Sequence, residues 1–81
     1  MWERENSDMA FYIVNRHSQP NGDFEVHRTD ICSHLPVDVD RIPLGDFYGC
    51  QEAITCARQM FPQCANRIDG CYYCCNACHT H

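Results

Sequence analysis

The chain closes on Gly70-Cys71-Tyr72-Tyr73-Cys74-Cys75-Asn76-Ala77-Cys78-His79-Thr80-His81, a stretch crowded with thiols and imidazoles. Packing does not call for so many soft ligands so close together, whereas metal coordination does. A Cys71-x2-Cys74 pair brings two thiolates to one tetrahedral ion from a single tight turn. Gly70, just before it, lets the backbone turn.

The remainder of the chain must complete any such site and also supply a core. Its 81 residues make one domain. A domain of this size buries only about 60–65% of the surface exposed by its unfolded chain, so its core alone is marginal. Eight cysteines are the natural staple. They can act through disulfides in an oxidising compartment or through zinc in a reducing one. Met1-Trp2-Glu3-Arg4-Glu5-Asn6-Ser7-Asp8 is polar and acidic, with neither a basic start nor an apolar run of signal-peptide length. The apolar run from Met9 to Val14 is about a third of what a membrane span needs. The expectation is a monomeric cytoplasmic protein without a membrane segment, in which metal is favoured over disulfides.

The net charge is −5, and every one of the six basic residues is arginine. Arg4, Arg16, Arg28, Arg41, Arg58 and Arg67 are scattered, with no cluster of three. Duplex nucleic acid is bound largely through basic side chains that meet phosphates, so this distribution argues against it. An acidic surface suits a protein partner better.

Residues 1–9 read as a flexible tail and 10–81 as the folded domain. Ala10 to Arg16 is rich in β-branched and aromatic residues, with Phe11 and Ile13 on one face and Tyr12 and Val14 on the other, as in a strand. Pro20-Asn21-Gly22-Asp23 is a strong turn signal. Phe24 to Arg28 then alternates as a return strand, with Glu25 and His27 sharing a face. Cys32 to Pro36 reads as a turn or knuckle, and Pro36 to Pro43 as a connecting loop. Ile42, Leu44 and Phe47 suggest a short third strand limited by Pro43. Cys50, Ala53, Ile54, Ala57 and Phe61 make one apolar stripe at helical spacing. That predicts a helix from about Cys50 to Phe61, ended by Pro62. Residues 63–70 read as a polar loop. The fold class is therefore small α+β: a two- or three-stranded antiparallel sheet, one helix and a C-terminal zinc knuckle.

The strongest constellation is split along the chain. His27 and Cys32, at the end of the hairpin, pair with Cys71 and Cys74 as a Cys3His zinc site. Such a clip ties the sheet to the tail across a long loop. Cys78 and His79 are rivals for the fourth position. Cys50 opens the helix, where the dipole lowers a thiol's pKa, and reads either as a buried core residue or as a reactive thiol. Cys56 and Cys64 read as structural. Cys75 points away from Cys74 and is a candidate for pairing on oxidation. Tyr72 and Tyr73 read as a roof over the metal, and His79-x-His81 as a frayed terminus, with a second metal site as the alternative. Asp38, Asp40 and Asp46 read as solvated loop charges. A nucleophilic pair drawn between Cys50 and His27 or His79 is no more than composition provides, so the chain reads as a non-enzyme.

The order Val26-His27, Cys32, Leu35, Leu44-Gly45-Asp46-Phe47, Glu52-Ala53 and Cys71-x2-Cys74 resembles the Ada-type metal-binding module. The tail Gly70, Cys71, Cys74, Cys78, His79 and Thr80 also resembles that of small bacterial proteins ending in Gly-Cys-x2-Cys-x3-Cys-His-Thr. The resemblance implies a zinc-thiolate site and, as functions, DNA binding, methyl acceptance or redox sensing through Cys32 or Cys50. Here His27 and Cys32 stand where the Ada-type module has a close cysteine pair, and few basic residues accompany them.

The reading that follows is a small non-catalytic zinc-binding interaction module with a protein partner. The alternative from another class is a disulfide-stapled effector or inhibitor.

Overall fold

Ala10–Asn15 (β1) and Phe24–Arg28 (β2) form the expected antiparallel hairpin, with Ile13 opposite His27 and Val14 opposite Val26. The computed structural model describes residues 9–80. The tail expected over 1–9, Trp2 included, therefore lies outside the described residues except for Met9. The hairpin loop turns at Gly22, whose φ of 91° lies in the left-handed region that favours glycine. Arg67 holds this loop from outside, donating from Nη2 to the Asn21 carbonyl at 2.6 Å.

The third strand, Arg41–Phe47 (β3), runs antiparallel to the other side of β1. It starts earlier than Pro43 suggested. Proline lacks the N–H that a central strand would need, but β3 lies at the sheet edge and the ring is tolerated there. The register skips Leu44 between Gly45, opposite Tyr12, and Pro43, opposite Ile13. This is a bulge, and Gly45 with a φ of 119° absorbs it. Asp38–Asp40, within the expected connecting loop, makes one 3-10 turn. Asp40 takes a contact from His17 Nδ1 at 3.1 Å, and Asp38 pairs with Arg41.

The helix Cys50–Met60 (α1) stands where the apolar stripe placed it. Glu52 reaches back to accept from the Tyr48 N–H at 3.0 Å, tying the residue before the N-cap Gly49 to the first turn of the helix. Pro62 ends the helix and opens a 3-10 segment, Pro62–Arg67. Ala53, Ile54 and Ala57 lie against Tyr12, Val14, Val26 and Ile68 in one core cluster. Burying a Val or Ile side chain of this kind contributes about 1.5–3 kcal/mol, so this contact carries much of the domain's apolar stabilisation.

The polar loop expected over 63–70 is corrected by a fourth strand, Ile68–Gly70 (β4), which pairs parallel with β2. The sheet is thus mixed and four-stranded, in the order β3-β1-β2-β4. Only three residues long and holding one large hydrophobe, β4 lacks the alternation that reveals a strand. Its stability comes from position: Ile68 fills the core beneath α1, and Arg58 at the helix end donates to the Ile68 carbonyl at 3.0 Å. No helix among the described residues is long and apolar enough to cross a membrane.

Candidate metal centre

Strand alternation sends Val26 into the core under α1 and His27 to the opposite face of the sheet. Directly after β2 the chain turns, with the Cys32 N–H donating to the Arg28 carbonyl at 3.2 Å, and this brings the Cys32 thiol back beside His27. The other half arrives from β4. The Cys71 N–H donates to the Val26 carbonyl at 3.0 Å, which extends the β2–β4 ladder by one rung. The Cys75 N–H then bonds the Cys71 carbonyl at 2.8 Å and closes the turn that carries Cys74.

Gly70 makes this turn possible in a way different from the one expected. Its φ is not positive. The constraint is space, because a Cβ there would lie 2.8 Å from the Cys75 carbonyl oxygen and 3.0 Å from the Cys78 Cβ.

The Nδ1 of His27 and the Sγ atoms of Cys32, Cys71 and Cys74 all lie within 4.8 Å of one another. His27 Nδ1 is 3.4 Å from Cys32 Sγ, and Cys32 Sγ is 3.8 Å from Cys71 Sγ. A tetrahedral ion with bonds of about 2.3 Å to sulfur and about 2.0–2.1 Å to nitrogen places its ligands about 3.8 Å (S to S) and about 3.5 Å (N to S) apart. Those two distances match, and the cluster as a whole is compatible with a four-ligand metal site.

The surroundings prepare the ligands. His27 is buried and its Nε2 lies 2.9 Å from Asn15 Oδ1, so an Nε2–H donated to Asn15 leaves Nδ1 free to bind a cation. Glu25 Oε1 stands a little farther from the same nitrogen, at 3.7 Å. Burial, helped by Arg41, lowers the His27 pKa to about 4, which keeps the ring neutral at pH 7. The Arg28 N–H donates to Cys74 Sγ at 3.2 Å, and the His34 N–H meets Cys32 Sγ at 3.4 Å. Burial also pushes the Cys71 thiol up to about 12 and raises Cys32. Cys74 rises as well, chiefly through its contact with Cys75, 3.7 Å away, and then through burial. The thiols alone therefore hold their protons at pH 7. A divalent cation binding there must displace them, which couples occupancy to pH.

The rivals for the fourth position are placed elsewhere. Cys78 forms a disulfide with Cys50, joining the start of α1 to the tail across 28 residues. This corrects two expectations at once: Cys78 is no ligand candidate, and Cys50 is no free reactive thiol. Eight cysteines permit on the order of a hundred complete pairings, so spacing had no means of finding this one. His79 turns its Nδ1 toward the Gly70 carbonyl at 2.9 Å and the buried Asp69 carboxylate at 3.2 Å. Thr80 completes that arrangement through its N–H and hydroxyl, each 3.0 Å from Asp69 Oδ1. His81, the other half of the rival second site, lies outside the described residues.

Cys75 does not point away from Cys74 as expected: its sulfur lies 3.7 Å from that of Cys74, and it is buried in the core cluster without a disulfide, while Cys56 and Cys64 are also free. Tyr72 and Tyr73 do not roof the cluster from a buried position. Both are more than half exposed, with Tyr73 stacked on His34 at a centroid distance of 3.7 Å and Tyr72 edge-on to His79 at 5.5 Å. No protein-family model matches the chain, and comparison with curated proteins and with solved structures finds no match.

Proposed function

We propose that His27, Cys32, Cys71 and Cys74 hold one structural zinc ion and that the chain is a non-catalytic interaction module with a protein partner. The carrying observation is the convergence of one nitrogen and three sulfurs, from two distant segments, to within 4.8 Å of one another. Three thiolates and an imidazole form a donor set that zinc favours. With four protein ligands, no position remains for the water that hydrolytic zinc sites use, so the ion serves the fold. Beside the ligands, Ile31, Tyr72 and Tyr73 are exposed, an aromatic and aliphatic surface of the kind that partner proteins cover. Arg28, next to His27, is taken up by Asp30 through two hydrogen bonds, which favours a protein over nucleic acid as the partner.

Native mass spectrometry of the untagged protein tests the metal. The expected mass exceeds that of the denatured chain by one zinc, with Cys50–Cys78 accounting for a deficit of two hydrogens. An unchanged urea midpoint in excess chelator under non-reducing conditions refutes structural zinc.

A second reading, the disulfide-stapled effector, rests on Cys50–Cys78 itself. Disulfides persist mainly in oxidising compartments, so this bond weighs against a purely cytoplasmic life. Under that reading Cys32 and Cys71, whose sulfurs already touch, oxidise as a second pair. The same mass measurement then shows four hydrogens missing and no metal.

A further inference from the structure

Cys74 has a further thiol against it. The Cys75 sulfur lies 3.7 Å from the Cys74 sulfur, buried in the core cluster and outside any disulfide. Consecutive Cα atoms across a trans peptide are about 3.8 Å apart, less than the roughly 4.4–6.8 Å that disulfides span. The pair therefore resists closing on itself and keeps its thiols even where Cys50–Cys78 is oxidised. Two sulfurs at this distance also fit around an ion. With metal–sulfur bonds of about 2.3 Å, a separation of 3.7 Å subtends an angle close to tetrahedral. A straight S–metal–S arrangement needs less than about 1 Å more, which small χ1 rotations supply.

The number of donors decides which ion fits. Among the described residues, His27, Cys32, Cys71 and Cys74 are the only group of three or more His, Cys, Asp or Glu donors that converges so closely. A position between Cys74 and Cys75 therefore has two thiolates to offer. Structural zinc takes four protein ligands, whereas soft, monovalent copper is selected by thiolates and accepts few of them. We infer that a copper(I) ion binds between Cys74 and Cys75, with the Cys74 thiolate shared between copper and zinc. The inference rests on the proposed zinc site and adds a second metal to it. Zinc with three thiolates and an imidazole carries one net negative charge. It carries the same charge after the Cys75 thiolate and copper(I) join it, so the second metal adds no net charge to a buried place. In the step, the Cys75 S–H bond breaks and its proton leaves to solvent. One Cu–S bond forms there, and the other comes from a lone pair of the zinc-bound Cys74 sulfur; no electron is transferred. The core cluster that holds Cys75 shields that side of the ion from water.

Copper(I), supplied as its acetonitrile complex under argon, is the probe, added to the zinc-loaded full chain. Cys56→Ser and Cys64→Ser are in place throughout, because both thiols are free and half-buried and compete for copper. Native mass spectrometry is expected to show one zinc and one copper per chain, with one hydrogen lost as copper enters. Cys75→Ala is expected to keep the zinc and lose the copper. Failure to take up zinc overturns the metal centre and this position with it, whereas zinc uptake without copper overturns this position alone. Copper that enters only by expelling zinc overturns the shared sulfur, and so does a Cys75→Ala protein that still holds both metals. Copper-edge X-ray absorption of the protein with Cys75 intact covers the case in which Cys75→Ala does not fold. Sulfur neighbours with a zinc atom behind them support the bridge, and oxygen or nitrogen ligands on copper overturn it.

Discussion

Asn15 illustrates how much of the cluster is set by residues that contribute no ligand atom. Its side chain is buried, and its amide oxygen meets His27 Nε2 at 2.9 Å, which fixes both the ring orientation and the tautomer that exposes Nδ1. Losing such a partner typically weakens a metal site 10–100-fold while the ligands stay in place. Asn15→Ala is therefore expected to lower zinc affinity by about that factor, measured by competition with a chromophoric chelator; unchanged affinity would mean that the ring is held by packing alone. His27 also makes a pH prediction. Its folded pKa of about 4 lies below the ordinary 6.5, so between these values the unfolded chain binds the extra proton. Stability from this group is fully present above pH 6.5 and is lost as pH falls toward 4. The loss amounts to roughly 3 kcal/mol in metal-free protein. Glu25, whose carboxyl is raised by burial, acts in the opposite sense. The comparison that isolates His27 is urea denaturation of wild type and His27→Gln at pH 7 and pH 4.5. The wild type should lose stability markedly more than the variant, and equal slopes against pH would remove His27 as the cause.

At the scale of elements, the turn after β4 is the piece on which the cluster depends, and Gly70 is its tightest point. A Cβ at this position meets Cys75 and Cys78 backbone or Cβ atoms, none of which is the far end of a flexible side chain. Gly70→Ala should cost about 1–3 kcal/mol through overpacking and displace the turn that carries Cys74. An unchanged urea midpoint would show that the tail is not close-packed in solution. The same elements show what could be read from the chain before its fold was known. The hairpin, α1 and the pairing of His27 with Cys32 were legible because alternation, a helical stripe and short spacing are local signals. β4 was not, because Ile68-Asp69-Gly70 is a strand only by virtue of lying beside β2. The Arg58 bond and the ladder to β2 that hold it come from residues ten to more than forty positions away.

For the whole molecule, the proposed zinc would fasten the tail a second time, by a chemistry different from the disulfide's, and the two fastenings would act on each other. Cys50–Cys78 anchors the chain four residues beyond Cys74, and an ion held by the cluster would anchor it at Cys71 and Cys74. Closing a loop of this length removes unfolded-state entropy worth about 3–4 kcal/mol. In metal-free protein the tail has fewer ties, and without the disulfide it detaches by local unfolding more often than the sheet does. Each detachment separates Cys71 and Cys74 from His27 and Cys32, so metal must then pay the cost of bringing them back. The disulfide thus preorganises a site to which it contributes no ligand. Replacing both Cys50 and Cys78 with Ser should accordingly lower zinc affinity by about tenfold, alongside a loss of about 3 kcal/mol in global stability. Hydrogen exchange locates the effect: in the metal-free variant the amides of Cys75 and Cys78 should lose protection while those of β1 and β2 stay at the global limit. Zinc restores the protection if the tail alone had detached. If zinc affinity is unchanged in the double variant, the tail is held by Gly70 packing and the Asp69 bonds to His79 and Thr80, and the two fastenings are independent.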